Sequence, residues 1–147
     1  MLKKILITLI ITFISTNNVF AQKILKMRCE PINPKTGTFN FTFDLQGSKV
    51  IQRNEYRIDF PILHSDTNIS FVESNYPQNG KTPLLSFKID RVSNKMTLIY
   101  YSLTDRESKI FKEKAKSVYS KTKNLVQSYL IALNDLNEVG EYYYKCK

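Results

Sequence analysis

The sequence predicts an α+β fold, in which an antiparallel β-meander of about six to seven strands packs with one long C-terminal amphipathic helix. Between Thr38 and Leu103, short segments alternate apolar and polar residues and are separated by short turns. This period of two is typical of consecutive antiparallel strands. After Thr104 the apolar residues recur at alternating steps of four and three, which is typical of an amphipathic helix.

The first 21 residues predict a cleavable secretory signal peptide. Lys3 and Lys4 precede an apolar run of about ten residues, and small side chains follow before a cut between Ala21 and Gln22. An uncleaved anchor needs an apolar stretch of about 20 residues, roughly twice this length. The prediction is therefore a signal peptide at 1–21 and a single periplasmic or secreted domain at 22–147.

Several segments of this domain have the character of strands. Phe39, Phe41 and Phe43 alternate with polar residues, and Gln46-Gly47-Ser48 supplies a turn to the next segment. Pro61 at the end of another segment favours an edge or bulge position. The predicted strands are Phe39–Leu45, Lys49–Arg53, Tyr56–Phe60, Asn68–Glu73, Leu84–Arg91, Lys95–Leu103 and Glu141–Cys146.

One helix of roughly 30 residues is predicted to begin at Thr104 and to end near Gly140. Thr104-Asp105-Arg106-Glu107 has the pattern of a capping box, in which the Thr and Glu side chains satisfy free amides at a helix start. We expect the apolar stripe to pack on the chain's own sheet. An unbroken repeat of four and three also fits a seam between two copies, so a homodimer through the helix is the alternative.

The two cysteines predict a structural disulfide. Cys29 and Cys146 are the only cysteines and lie near opposite ends of the mature domain. An even pair in an exported protein is expected to be bonded. The two cysteines do not form a C-x-x-C motif, which redox chemistry would need, and no histidine lies near either of them in the sequence to complete a metal site. No metal and no cofactor is therefore predicted.

The charge of the chain favours an anionic partner. Without residues 1–21 the chain keeps 20 basic and 13 acidic residues, a net charge of +7. Lysines form a row beside the apolar stripe of the predicted helix, a pattern that fits an anionic envelope component or an acidic protein surface. The row has no arginine and the chain is exported, so nucleic acid is not the expected partner. These candidate residues are Lys109, Lys112, Lys116 and Lys123.

Catalytic motifs are scarce. His64 is the only histidine, and no Gly-x-Ser-x-Gly motif accompanies it. Asp44, Asp59 and Asp90 stand singly on different strands, whereas glycoside hydrolysis needs two facing carboxylates. No catalytic residue is therefore predicted, although a hydrolase that uses His64 with a Ser or Asp partner remains an alternative.

Parts of the chain resemble a set of small uncharacterised exported proteins of AT-rich bacteria. The shared features are the early Cys29, the strand pair in Phe87–Leu98 and the closing Gly140-x-Tyr-x-Tyr-x-Cys146. The resemblance implies no activity.

The sequence leads to the hypothesis of a non-enzymatic binding or envelope-associated protein. Its binding surface would be the lysine row or the tyrosine-rich segments at Tyr100-Tyr101 and Tyr142–Tyr144. Asn40 and Asn68 each begin a glycosylation sequon, which matters only in a eukaryotic host.

Overall fold

A computed structural model describes residues 24–33 and 36–147 of the chain. The predicted signal peptide and its cut between Ala21 and Gln22 lie outside the described residues. The elements are, in chain order, β1 (Ile24–Pro31), β2 (Phe39–Asp44), β3 (Lys49–Arg53), β4 (Tyr56–Pro61), β5 (Leu63–His64), β6 (Asn68–Ser74), β7 (Lys81–Asp90), β8 (Lys95–Thr104), α1 (Asp105–Thr122), α2 (Leu125–Leu133) and β9 (Gly140–Cys146).

The α+β class and the antiparallel sheet are confirmed. The strands run in the order β4-β3-β2-β1-β9-β8-β7-β6-β5, so the C-terminal strand lies in the middle of the sheet. The described residues form nine strands instead of the predicted six to seven. The additional strands are β1 and β5. Leu25, Met27 and Cys29 of β1 alternate with charged residues, the usual pattern of a half-buried strand, whereas β5 has only two residues and too little sequence to show a period.

The sheet curls until its two ends meet, which makes it nearly barrel-shaped. β4 pairs with β3, whereas β5 follows it after a single residue and pairs with β6. At this corner the N–H of Ile62 donates to the carbonyl of Ser48 over 2.9 Å. One extended segment, 56–64, therefore connects the two ends of the sheet.

Aromatic rings fill the interior of the curled sheet. Phe41 of β2 contacts Phe71 of β6 edge to face, with 5.8 Å between ring centroids, although the two strands lie in opposite halves of the sheet. Phe71 also stacks on Phe87 at 4.5 Å. All three rings are buried. The period of two in β2 thus places its phenylalanines in a core shared by both halves.

Two helices replace the single predicted helix, so that prediction is wrong in its extent. The capping box is confirmed: Thr104 Oγ1 accepts from the N–H of Glu107, and Glu107 Oε2 accepts from the N–H of Thr104 at 2.8 Å. The helix then ends at Thr122, because Lys123 adopts a left-handed conformation with φ of 54°. Asn124 is extended and accepts from the N–H of Gln127 at 2.9 Å, which begins the second helix.

The predicted helix end at Gly140 is also wrong, since α2 ends at Leu133 and Gly140 begins β9. The two helices form an antiparallel hairpin in which Phe111 of α1 contacts Tyr129 of α2, with ring centroids 5.5 Å apart. Both helices present their apolar stripes to the outer face of the same sheet. In the sequence, the steps of four and three cross the break without interruption, from Thr122 to Leu125 and Tyr129.

The helical hairpin covers the outer face of β6, β7 and β8. A second apolar cluster, separate from the interior of the curled sheet, forms where they meet. Phe111 and Ala115 of α1 and Ala132 and Leu133 of α2 are buried in it. The apolar stripe of the helices, which also suggested a homodimer, is thus packed against the chain's own sheet. The buried sheet residues of the cluster are Val72, Leu84, Ile99, Tyr101 and Leu103.

The predicted disulfide between Cys29 and Cys146 is confirmed. The two residues are directly opposed in the register of β1 and β9, and both are buried. This ladder has only three register pairs, so the disulfide joins the two halves of the sheet where their pairing is short.

Candidate ligand-binding groove

A groove of about 270 Å³ lies between the helical hairpin and the outer face of β6 and β7. The end of β6 and the adjacent part of β7 form its floor, one face of α1 forms a wall, and the start of α2 closes it. Residues spaced four apart lie on one face of a helix, so the periodicity of α1 creates this wall. The apolar and aromatic side chains that line the groove are Val72, Leu84, Phe111, Ala115, Tyr119, Leu125 and Tyr129.

The groove is apolar inside and open to water at its mouth. Val72, Leu84 and Ala115 are buried in the described structure. Tyr119 and Leu125, by contrast, are 43% and 41% exposed. Exposed apolar side chains that continue into a concave apolar surface are characteristic of a ligand or partner site.

Two of the sequence-predicted lysines border this groove. Lys112 and Lys116 line it, and their side chains are exposed. They are four residues apart on α1, which places their Cβ atoms about 5–6 Å from each other. Lys109 lies on the same side of α1, one turn before Lys112. Lys123 directly follows α1 in the left-handed conformation, so it belongs to the turn between the helices instead of the row.

The charges of Lys112 and Lys116 are not neutralised within the described part of the chain. No carboxylate there lies within 4.0 Å of either ammonium group. Lys114, on another face of α1, pairs with Asp135 beyond α2. The same helix therefore presents one lysine to the chain's own acid and two to the mouth of the groove.

His64 has a hydroxyl partner at the corner of the sheet. Ser48 Oγ lies 3.3 Å from His64 Nε2, in an exposed setting. Ser48 ends the β2–β3 turn in a left-handed conformation with φ of 52°. This distance is longer than a strong O–H···N hydrogen bond, and no described residue makes a hydrogen bond to the other ring nitrogen. The contact supports the corner at which β4 continues into β5.

The single aspartates lie apart and have local partners. Asp44 Oδ1 accepts from the N–H of Gly47 at 2.9 Å, and Asp59 pairs with Lys49 at 3.3 Å. Asp90 accepts from the N–H groups of Ser93 and Val92, and these hydrogen bonds lower the pKa of its carboxyl group. These three carboxylates hold turns and strand ends.

Glu73 is a buried acid that the sequence reasoning missed. Its Oε1 accepts from Arg53 Nη2 at 2.7 Å, across the space between β6 and β3. Glu73 Oε2 and Arg53 Nε are buried without a hydrogen-bond partner among the described residues. Burial raises the pKa of Glu73, and the attraction of Arg53 offsets only part of that effect. The alternation Ile69, Phe71, Glu73 was the available signal, because it places the acid on the inner face.

The tyrosine-rich segments do not form one surface. Tyr101 and Tyr144 are buried, whereas Tyr142 and Tyr143 are exposed. Successive residues of a strand point to opposite faces, so Tyr143 lies on the face of β9 opposite to Tyr142 and Tyr144, and of that pair only Tyr144 is buried.

Within residues 24–33 and 36–147, no group of three or more His, Cys, Asp and Glu side chains is arranged to hold a metal ion. No helix in this described part is both long and apolar enough to cross a membrane.

Comparison with known proteins adds no relative. No protein-family model matches the chain, and no curated protein or solved structure is significantly similar to it.

Proposed function

We propose that this chain is an exported, non-enzymatic binding protein of the periplasm or cell exterior, and that it binds an anionic envelope component at the groove. The observation that carries the proposal is the pair of unneutralised ammonium groups, Lys112 and Lys116, at the mouth of an apolar cavity. The basic net charge favours approach to anionic surfaces. The Cys29–Cys146 disulfide is compatible with export.

Binding to lipid vesicles tests the proposal. We expect the protein to sediment with vesicles that contain phosphatidylglycerol and to bind weakly to vesicles of phosphatidylcholine alone. Each lysine near an anionic surface contributes about 1 kcal/mol, so Lys112→Glu with Lys116→Glu should weaken binding about tenfold or more. Equal binding of wild type and variant would contradict the proposal.

A matched control separates the groove from the net charge. Lys95 and Lys145 are exposed and directly opposed on β8 and β9, so they form a second pair of neighbouring lysines away from the groove. The double variant Lys95→Glu with Lys145→Glu changes the net charge by the same amount. We expect it to retain at least half of the wild-type affinity. An equal loss in both double variants would mean that only the total charge matters.

A small secreted hydrolase is the second candidate, and the Ser48–His64 contact is the observation that favours it. A serine next to a histidine can act as a nucleophile when the histidine accepts its proton. Treatment with a fluorophosphonate, followed by peptide mass spectrometry, tests this directly. Labelling of Ser48 that disappears in His64→Ala would support the hydrolase, and an unlabelled Ser48 would remove it.

A further inference from the structure

We infer that the groove accepts the chain of a single-chain, fatty-acid-type amphiphile, whose carboxylate lies between Lys112 and Lys116. This inference rests on the proposed function, because it names the class of anion that the same groove binds. The geometry points to it through three independent properties of the groove: its apolar lining, the position of its charges and its size.

The lining selects an apolar chain. Val72 and Leu84 form an aliphatic floor, and Phe111 and Ala115 form an aliphatic and aromatic wall opposite it. A free inorganic anion gains nothing from contact with such a surface. Each methylene group of an apolar chain that the surface removes from water, by contrast, contributes favourably to the binding free energy. The exposed Leu125 at the mouth extends the same apolar path toward solvent.

The charges select the head group and its place. Lys112 and Lys116 each directly follow a wall residue, Phe111 and Ala115, so the two ammonium groups stand beside the apolar wall, one turn apart. An anion between them contacts both lysines while its chain enters the groove. No carboxylate of the described residues lies within ion-pair distance to compete for these lysines. A cationic amphiphile would meet two like charges at the same place.

The size selects one chain. A volume of about 270 Å³ is just below the ~300–1,000 Å³ typical of small-molecule sites. A two-chain phospholipid is too large to be enclosed by it. The hydroxyl of Ser74, opposite Leu84 in the ladder, is the polar group on the sheet side of the groove.

Calorimetric titration with dodecanoate, below its critical micelle concentration, tests the inference. We expect one dodecanoate per chain, at least tenfold weaker binding of acetate, and at least tenfold weaker binding of dodecyltrimethylammonium. Lys112→Glu with Lys116→Glu should weaken dodecanoate binding at least tenfold, and Lys95→Glu with Lys145→Glu should change it less than threefold.

A second variant tests the apolar path without threatening the fold. Leu125→Asp places a carboxylate at the mouth, at the first residue of α2, where a negative charge suits the helix terminus. It should weaken dodecanoate binding at least tenfold. The control Ile110→Asp replaces another exposed apolar residue of the hairpin, outside the groove, and should change binding less than threefold.

Several outcomes would overturn the inference. Equal affinity for acetate and dodecanoate would leave an anion site without a chain site. Equal affinity for the cationic amphiphile would remove the role of the lysines in this groove. A dimer in sedimentation that dodecanoate does not dissociate, together with no binding heat, would place a second copy in the groove. In each case the vesicle experiment still decides the proposed function separately.

Discussion

At the scale of the single residue, Glu73 shows how the interior of the sheet sets the chemistry of an acid. Its carboxylate faces Arg53 at 2.7 Å but is almost fully removed from water. Desolvation penalises the charged form more than the ion pair favours it, so the pKa of Glu73 is raised. A raised pKa in the folded state means that the folded protein binds this proton more tightly than the unfolded chain does. The contribution of Glu73 to stability is then full at low pH and is lost as the pH rises through its folded pKa.

The variant Glu73→Gln separates the pH-dependent contribution of Glu73 to stability from the contributions of the other acids. Glu107 and Asp90 have lowered pKa values and act in the opposite direction, since their contributions are lost as the pH falls. The difference in unfolding free energy, wild type minus variant, removes their effect. We expect this difference to be largest at acidic pH and to decrease toward neutral pH, as measured by urea unfolding across that range. A difference that grows with pH would show that the Arg53 ion pair dominates instead.

At the scale of the element, the helical hairpin shows where sequence patterns stop being informative. The capping box at Thr104 and Glu107 could be predicted, because it is local and its hydrogen bonds depend on adjacent residues. The break at Lys123-Asn124 was missed, because the steps of four and three cross it in the sequence without interruption. Asn124 is a strong N-cap residue and was the available signal.

The groove could be predicted only in part, for a related reason. Lys112 and Lys116 were found from their spacing on one helix. Val72, Leu84 and Leu125 were not, because they reach the groove from three different elements, β6, β7 and α2. Their positions depend on the register of β6 with β7 and on the turn between the helices. Neither is encoded in the period of a single segment.

Lys123→Gly tests the break between the helices. A left-handed conformation costs an ordinary residue about 1–2 kcal/mol, and glycine avoids that cost but loses more entropy on folding. We expect the variant to raise the free energy of unfolding by about 0.5–1 kcal/mol in urea unfolding. The matched control Lys121→Gly lies within the last turn of α1 and should lower it by about 0.5–1 kcal/mol. If both substitutions destabilised the protein, the left-handed conformation of Lys123 would be contradicted.

At the scale of the whole molecule, the curled sheet is held together at two places. On one side, the segment 56–64 passes from β3 to β6, and the Ser48–His64 contact and the Arg53–Glu73 pair lie along the same join. On the other side, β1 and β9 share a ladder of three register pairs, which the disulfide crosses. Two further backbone hydrogen bonds between Arg28 and Lys147, each 2.9 Å, extend that ladder. Opening either join would expose the phenylalanine core.

Reduction of the disulfide should therefore lower the free energy of unfolding by more than the loss of one local contact would. Cys29 and Cys146 are separated by 117 residues, and closing a loop of this length in the unfolded chain corresponds to about 4–5 kcal/mol in the chain-entropy argument. We expect urea unfolding with a thiol-free reductant to show a loss of about that size relative to the oxidised protein. Amide hydrogen exchange should increase first at Arg28 and Lys147, beside the opened bond.

The variant Cys29→Ala with Cys146→Ala should match the reduced protein and should not respond to the reductant. A difference below about 1 kcal/mol between the oxidised and reduced proteins would mean that the backbone pairing of β1 with β9 and the aromatic core hold this join without the covalent bond.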